Sequence, residues 1–146
     1  MSDRRYAMFS VDNLTIGVDI DRVQEVLYAE TMTPVPLANE SVAGILNLRG
    51  QIVTVIDARA RLGLAPRPVT ESAESAPHVV IRSASEAISL VVDRAGDVVD
   101  VDEDSLEDVP ATVNGTIKNF IRGVHKIDGA LLLVLDHDRA LSVASS

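Results

Sequence analysis

An internal repeat constrains the fold of this chain more than any other feature. Residues 44–62, GILNLRGQIVTVIDARARL, align without a gap to residues 123–141, GVHKIDGALLLVLDHDRAL, seventy-nine positions later. In both copies a glycine opens the segment, a second glycine follows six residues later, and an aspartate ends an aliphatic run. Matching segments that occur twice in one order are what duplication produces.

A second pair of matched segments precedes the first. Residues 21–26, DRVQEV, match residues 93–98, DRAGDV, at an offset of seventy-two. The change of offset implies an insertion of seven residues in the second half. The period is too long and the copies are too few for a solenoid. Two small β-barrels packed together satisfy the pattern, because closing a sheet into a barrel removes its exposed edges.

The local pattern is that of an all-β protein, because Val, Ile and Thr alternate in short runs between turn signals. Turns are predicted at Asp12-Asn13, Arg49-Gly50 and Asp128-Gly129. Asp57 and Asp136 are expected to cap short helices that follow the strands. Residues 19–26 fit either a short helical turn or a bent strand. Strands are predicted near 6–11, 14–18, 78–82, 87–92 and 130–135, and residues 44–57 are predicted to form a hairpin.

The two halves predict a division of the chain into contiguous subdomains. Subdomain 1 is expected at about 14–64 and subdomain 2 at about 78–136. Residues 65–77 contain three prolines with small and acidic residues, which is typical of an exposed connector. The terminal segments 1–13 and 137–146 are expected to pack across both subdomains.

Composition excludes several classes of function. Without cysteine the chain has no disulfide and no thiolate metal site. A net charge of −9 disfavours nucleic acid and anionic membranes as partners. The longest aliphatic run, residues 130–135, is far shorter than the ~20 residues that span a bilayer. With no apolar run typical of a signal peptide near its N-terminus, the chain is expected to be soluble and cytoplasmic.

The sequence predicts no catalytic residue, no metal site and no cofactor. Its three histidines are scattered, and neither a Gly-X-Ser-X-Gly elbow nor a phosphate loop is present. Asp100, Asp102 and Asp104 have the spacing of the first ligands of a calcium loop. Ser105 and Ala111, however, occupy the positions where that loop needs glycine and a bidentate glutamate. The acidic run is therefore interpreted as a solvated face that can steer partners.

The block 44–59, GILNLRGQIVTVIDAR, resembles the signature of the CheW family of chemotaxis coupling proteins. VDIDRVQEV, SLVVDRAGDVVDVDEDSL and IRGVHKIDGALLLVLD resemble further segments of that family, so that the likeness runs from about Tyr6 to Leu141. The resemblance implies two five-stranded SH3-like β-barrels packed together, with short helices after the barrels. It also implies a non-enzymatic adaptor that is recruited from the cytoplasm to membrane-associated receptor arrays.

The partners that the resemblance implies are proteins. They are the regulatory domain of a CheA-type histidine kinase, the cytoplasmic tip of a chemoreceptor and further CheW copies in an array. We assign receptor binding to a set that flanks the junction of the halves: Ile20, Glu25, Arg49, Ala95 and Val98. Kinase binding is assigned on the first barrel to Val23, Val26 and Gly44, where a glycine at a strand start permits close approach of another backbone.

Other interpretations of these residues remain open at this stage. Glu25 and Arg49 can be two unrelated solvated charges, and apolar residues at spacings of three from Ile20 to Val26 are most simply core. A divergent adaptor of a non-chemotactic or modified pathway, lacking one of the two contacts, fits the same fold. A small acid–base hydrolase using scattered Asp and His residues is the hypothesis from another class. Ser89, His125, Lys126 and Thr54 depart from the usual CheW pattern and leave the choice of partners open.

Overall fold

The chain folds into two five-stranded, mostly antiparallel sheets, and the links by which the chain passes from one sheet to the other are short. A computed structural model describes residues 3–28, 32–35, 40–66, 76–83 and 86–142. Three short helices, α1 (Ala58–Arg61), α2 (Gly115–Lys118) and α3 (His137–Ala140), accompany the sheets, with 3-10 turns at Ile20–Arg22 and Glu103–Ser105. The strands are β1 (Asp3–Val11), β2 (Leu14–Asp19), β3 (Val23–Leu27), β4 (Val42–Leu48), β5 (Gln51–Asp57), β6 (His78–Ser83), β7 (Glu86–Val91), β8 (Arg94–Asp102), β9 (Ile121–Ile127) and β10 (Ala130–Leu135).

Each sheet forms one SH3-like barrel, as the sequence predicted. Barrel 1 has the strand order β3-β6-β7-β5-β4, and barrel 2 has the order β8-β1-β2-β10-β9. The two orders correspond strand by strand, and each sheet contains one parallel pair at the same place, β5 with β7 and β2 with β10. The sequence repeat therefore corresponds to a duplicated barrel.

The predicted division into contiguous subdomains is wrong in one respect, because the halves exchange a hairpin. The β1–β2 hairpin of the first half completes barrel 2, and the β6–β7 hairpin of the second half completes barrel 1. Residues 14–19 therefore belong with the second half and residues 78–91 with the first. The chain crosses between barrels in the short links after β2 and β7. Because each barrel takes strands from both halves, neither half contains all the strands of one barrel.

The predicted connector and terminal segments fit the structure only in part. Residues 67–75 of the connector, and residues 1–2 and 143–146 of the terminal segments, lie outside the described residues. Of the connector's described ends, Ala65 and Pro66 are exposed as predicted, whereas Ala76 and Pro77 are buried. Residues 3–11 form β1, a strand inside the sheet of barrel 2, and its residues Phe9 and Val11 pack in the core between the barrels. Helix α3 lies against β6 of barrel 1.

Three apolar clusters hold the molecule together, which explains why its strands are apolar on both faces. One fills barrel 1 around Val53, Val55 and Val80. Another fills barrel 2 around Tyr6 and Leu132. The largest lies between the barrels and takes the alternate residues of the same strands, including Phe9, Ile16, Ile56, Ile81 and Leu133. Since alternate side chains point to opposite faces of a strand, one strand serves two cores.

The local turn and capping predictions are confirmed. Asp12, Arg49 and Asp128 adopt left-handed backbone angles, with φ of 56°, 53° and 48°. The side chains of Asp57 and Asp136 accept hydrogen bonds from backbone N–H groups in the first turns of α1 and α3. Residues 19–26 contain both predicted alternatives in succession, a 3-10 turn at Ile20–Arg22 and then the edge strand β3.

Candidate protein-interaction site

Glu25 and Arg49 form an ion pair across the seam of barrel 1, the line along which its two edge strands, β3 and β4, face each other. Glu25 lies on β3, one edge strand of the sheet. Arg49 lies in the turn that follows β4, the other edge strand. Both guanidinium Nη atoms donate to the carboxylate, Nη1 to Oε1 and Nη2 to Oε2, the latter at 2.8 Å. This hydrogen bonding lowers the pKa of Glu25. The predicted pair therefore exists, and it joins the two edges that close the barrel.

The corresponding seam of barrel 2, between β8 and β9, has two acidic residues instead of an ion pair. The positions equivalent to Glu25 and Arg49 by the two repeat offsets are Asp97 and Asp128. Both aspartates are exposed, and two like charges cannot form a salt bridge. Duplication has therefore produced two barrels of one shape with different seam surfaces. A partner can discriminate between them by charge.

Val26 and Val98 are equivalent residues that each end a buried apolar row. On barrel 1 the row runs from Val26 through Val79 to Leu90, which pack between the barrels. On barrel 2 it runs from Val98 through Ala7 to Val18 in the same core. The two ends are the exposed members, with Val26 41% and Val98 52% exposed. Each is an apolar contact point at the margin of the core between the barrels.

The sequence analysis missed two exposed apolar residues on barrel 1. Ile52 is 62% exposed and Tyr28 is 59% exposed. Ile52 lies two residues beyond Gly50, near the start of β5. Ile52 shares a strand face with the buried Ile56, but it lies at the other end of β5 and is not part of the core between the barrels. Ile52 and Tyr28 add apolar surface to the barrel that bears the Glu25–Arg49 pair.

The remaining predicted receptor and kinase residues occupy different environments. Ile20 is partly buried and lines a cavity at the junction with Arg5 and Asp100. Ala95 is exposed on β8. Val23 is partly buried and packs against the core between the barrels, in agreement with the simpler interpretation of this residue.

Gly44 is buried, and its close backbone neighbour belongs to its own chain. A Cβ added to Gly44 would lie 2.6 Å from the carbonyl oxygen of Thr33. Thr33 and Ile45 exchange two backbone hydrogen bonds of 2.8 Å beside it. Gly123, the repeat-equivalent residue, makes the same kind of approach, with its Cβ position 2.8 Å from the carbonyl oxygen of Glu107. The close approach expected at Gly44 is real, but it serves the fold rather than offering a free surface.

The described residues form two close Ser–His pairs, the buried His78–Ser89 pair and the pair of Ser105 with His125, and the second is not arranged for hydrolysis. Ser105 Oγ lies 2.9 Å from His125 Nδ1 and 2.7 Å from the backbone oxygen of Asp102. Because the single hydroxyl proton is donated to that carbonyl, Nδ1 of His125 must donate to Ser105. His125 is buried in barrel 2 beside Tyr6, and burial lowers its pKa. The imidazole therefore cannot accept the serine proton as a general base would.

The described residues contain no group of three or more His, Cys, Asp or Glu side chains that could hold a metal ion. Nor, within the same residues, is any helix long and apolar enough to cross a membrane.

Comparison with known proteins gives consistent results. A family model described as CheW-like domain matches residues 5–145. The chain is 30% identical over 136 residues to chemotaxis protein CheW of Rhizobium meliloti, covering 92% of this chain and 85% of that protein. A shorter match to chemotaxis protein CheW of Thermotoga maritima, 33% identical, spans 39% of this chain and 38% of that protein. The crystal structure of scaffolding protein TtCheW from Thermoanaerobacter tengcongensis superimposes with a TM-score of 0.82 at 29% identity, covering 92% of this chain and 90% of that one.

Proposed function

The chain belongs to the CheW-like domain family of chemotaxis scaffold proteins, and from this premise we propose that it couples chemoreceptors to a CheA-type histidine kinase. In this role it has no enzymatic activity. It is recruited from the cytoplasm to receptor arrays at the membrane. The observation that carries the proposal is a duplicated barrel whose two copies differ in surface chemistry, because an adaptor must present distinct surfaces to distinct partners.

The kinase regulatory domain binds barrel 1 in this proposal, at a surface that includes the Glu25–Arg49 pair, which the sequence analysis assigns to receptor binding. Of the five exposed large apolar residues in the described part of the chain, four lie on barrel 1 or on the segment 32–35 that bridges to it: Val26, Tyr28, Val35 and Ile52. Exposed apolar residues beside a charged pair are typical of a protein interface, in which burial supplies affinity and charge supplies register. Gly44 is buried on the same barrel beside the backbone of Thr33.

The receptor tip binds at the junction of the barrels. Ile20 lies in the link where the chain passes from barrel 2 to barrel 1, and Val98 ends an apolar row of barrel 2 at the edge of the shared core. A helical tip in this place contacts both halves of the molecule through an apolar strip with polar margins. Affinity for a single receptor is modest, since arrays add avidity.

The decisive experiment measures binding to both partners with charge-reversal variants of the seam pair. Wild-type protein, Glu25→Arg, Arg49→Glu and the double variant are titrated against a soluble receptor-tip fragment and against the kinase regulatory domain. Each single reversal places like charges together and should weaken kinase binding. The double reversal restores the pair inside barrel 1. Normal kinase binding by the double variant would show that only the ion pair is needed. Weakened binding would show that the kinase recognises the individual charges of Glu25 and Arg49.

An exposed ion pair of barrel 2 provides the matched control. Arg5 Nε lies 2.7 Å from Asp100 Oδ1 on the surface of barrel 2. Arg5→Glu should leave kinase binding unchanged, because the pair lies outside barrel 1. Wild-type protein that binds the kinase domain but not the receptor fragment, or the reverse, would identify a modified pathway that lacks one contact. Binding to neither would refute the proposal.

A further inference from the structure

A pocket rich in arginine lies at the junction of the two barrels. Its wall contains four arginines and two aspartates, and it encloses about 540 Å³. The arginines come from both barrels and from the link between them, and are Arg4, Arg22, Arg82 and Arg122. Among the described residues of the wall, which also include His137, Asp19 and Asp21 are the only acids, so the lining carries two excess positive charges when His137 is neutral. Such an excess is unexpected in a chain whose net charge is −9.

The arginines differ in how far their charges are already neutralised. Arg4 is paired with Asp19 at 3.2 Å and with Glu103 at 2.6 Å. Arg82 donates to the neutral oxygen of Gln24 at 3.1 Å. Within the described part of the chain, neither Arg22 nor Arg82 has an acidic partner within ion-pair distance, and both are exposed. The guanidinium groups of Arg22 and Arg82 can therefore bind an anion in this pocket.

The repeat provides an internal comparison for this pocket. Asp93 and Arg94, at the other side of the junction, are equivalent to Asp21 and Arg22. There Arg59 binds Asp93 through two nitrogen atoms, with Nη2 2.7 Å from Oδ2, and both side chains are largely buried. The residue equivalent to Arg59 in the second copy is Asp138. The copy at Asp93 and Arg94 is also a pocket, of about 410 Å³, but its Arg59 is neutralised by an internal carboxylate, whereas the copy at Asp21 and Arg22 has excess arginine.

A second pocket beside the first has the opposite charge. It shares Arg4, Asp19 and Asp21 with the arginine pocket and adds Asp3, Asp100 and Glu103, against Arg5. A uniformly anionic ligand would be repelled by this neighbour. A protein helix that presents one acidic and one basic side chain can satisfy both pockets.

We propose that the arginine pocket receives an acidic side chain of the helical receptor tip, held by Arg22 and Arg82. A basic side chain of the same helix faces the acidic pocket, which Ile20 also lines. Guanidinium groups suit this task because their planar donors match carboxylate oxygens. The inference rests on the proposed receptor coupling and names the chemistry by which that surface would recognise its partner.

The test titrates a soluble receptor-tip fragment into wild-type protein, Arg22→Glu and Arg82→Glu at low and at physiological salt. Both variants should lose about tenfold or more in affinity, with a weaker salt dependence than wild type. Arg94→Glu is the matched control, because it makes the same charge change at the repeat-equivalent position and should stay within about twofold of wild type. Arg82→Gln, which removes only the charge, should give a smaller loss in the same direction. Unfolding midpoints and kinase binding are recorded for every variant.

Reversing one acidic residue of the receptor tip to arginine should restore binding to Arg82→Glu and weaken binding to wild type. Equal losses in Arg82→Glu and Arg94→Glu would attribute the effect to net charge and overturn the inference. Unchanged affinity in both Arg22→Glu and Arg82→Glu would also overturn it, while leaving receptor coupling intact. Wild-type protein that binds kinase but not receptor would instead remove the coupling proposal and this inference with it.

Discussion

Replacing Gly44 by alanine should destabilise the fold through one backbone contact. The new Cβ would lie 2.6 Å from the carbonyl oxygen of Thr33, whereas close carbon–oxygen contacts in proteins begin at about 3.3 Å. The Thr33 carbonyl must therefore retreat by about 0.7 Å. It cannot do so freely, because Thr33 and Ile45 exchange two hydrogen bonds of 2.8 Å on that side.

Two routes of relaxation give a similar magnitude. If the segment moves away, two backbone hydrogen bonds weaken, at about 0.5–1.5 kcal/mol each. If it stays, overpacking costs about 1–3 kcal/mol. Alanine also restricts the unfolded chain, which offsets about 0.4–1 kcal/mol. The net loss should be about 1–2 kcal/mol, corresponding to a fall in Tm of roughly 3–6 °C for a chain of this size.

Urea and thermal unfolding measure the effect, with Gly115→Ala as the control. Gly115 has no atom within 4 Å of its Cβ position and begins the short helix α2, so alanine there should be neutral or slightly stabilising. Gly123→Ala should resemble Gly44→Ala, because its Cβ would lie 2.8 Å from the Glu107 carbonyl oxygen. A Gly44→Ala protein as stable as Gly115→Ala would refute the reasoning. Normal stability with lost kinase binding would restore Gly44 as a contact residue.

Three other perturbations test separate parts of the structure. Asp93→Ala should lower the free energy of unfolding by roughly 2–4 kcal/mol, because it removes the carboxylate that pairs with the largely buried Arg59. Urea unfolding measures this loss, and a loss below about 0.5 kcal/mol would contradict the expectation. His125 has a lowered pKa in the folded protein, so stability should decline as the pH falls below about 6.5, where the unfolded chain takes up the proton first. His125→Leu, which copies the repeat-equivalent Leu46, should flatten that pH dependence, and an unchanged slope would exclude His125 as its source. Val98→Glu should weaken receptor binding by about 1–3 kcal/mol with kinase binding unchanged, and equal loss of both partners would argue against a receptor site at this residue.

The buried polar residues show how the two copies have diverged in compensating ways. Tyr6 and Gly17 in barrel 2 correspond to His78 and Ser89 in barrel 1. A Cβ on Gly17 would lie 3.2 Å from the Cβ of Tyr6, whereas Ser89 Oγ makes a hydrogen bond of 3.1 Å to His78 Nδ1. The unusual Ser89 is therefore explained by a smaller ring beside it that needs a polar partner. Both copies remain filled, but by different chemistry.

The sequence by itself determined the features that depend on residues close together in the chain. The repeat predicted a duplicated barrel, and the turns at Arg49 and Asp128 and the helix caps at Asp57 and Asp136 were predicted where they occur. Each of these features is decided by short-range geometry, a left-handed turn or a carboxylate near free N–H groups. The CheW resemblance rested on these same segments.

Only the tertiary structure decided which strands share a barrel and which charges share a pocket. A hairpin has the same alternating pattern whichever sheet it completes, so the exchange of β1–β2 and β6–β7 left no mark in the sequence. Gly44 appeared available to a partner until the path of Thr33 was known. Arg4, Arg22, Arg82 and Arg122 are far apart in the chain and converge only because two barrels pack together. Side-chain periodicity specifies the face that is buried, but the neighbour that buries it is chosen by the packing of the whole molecule.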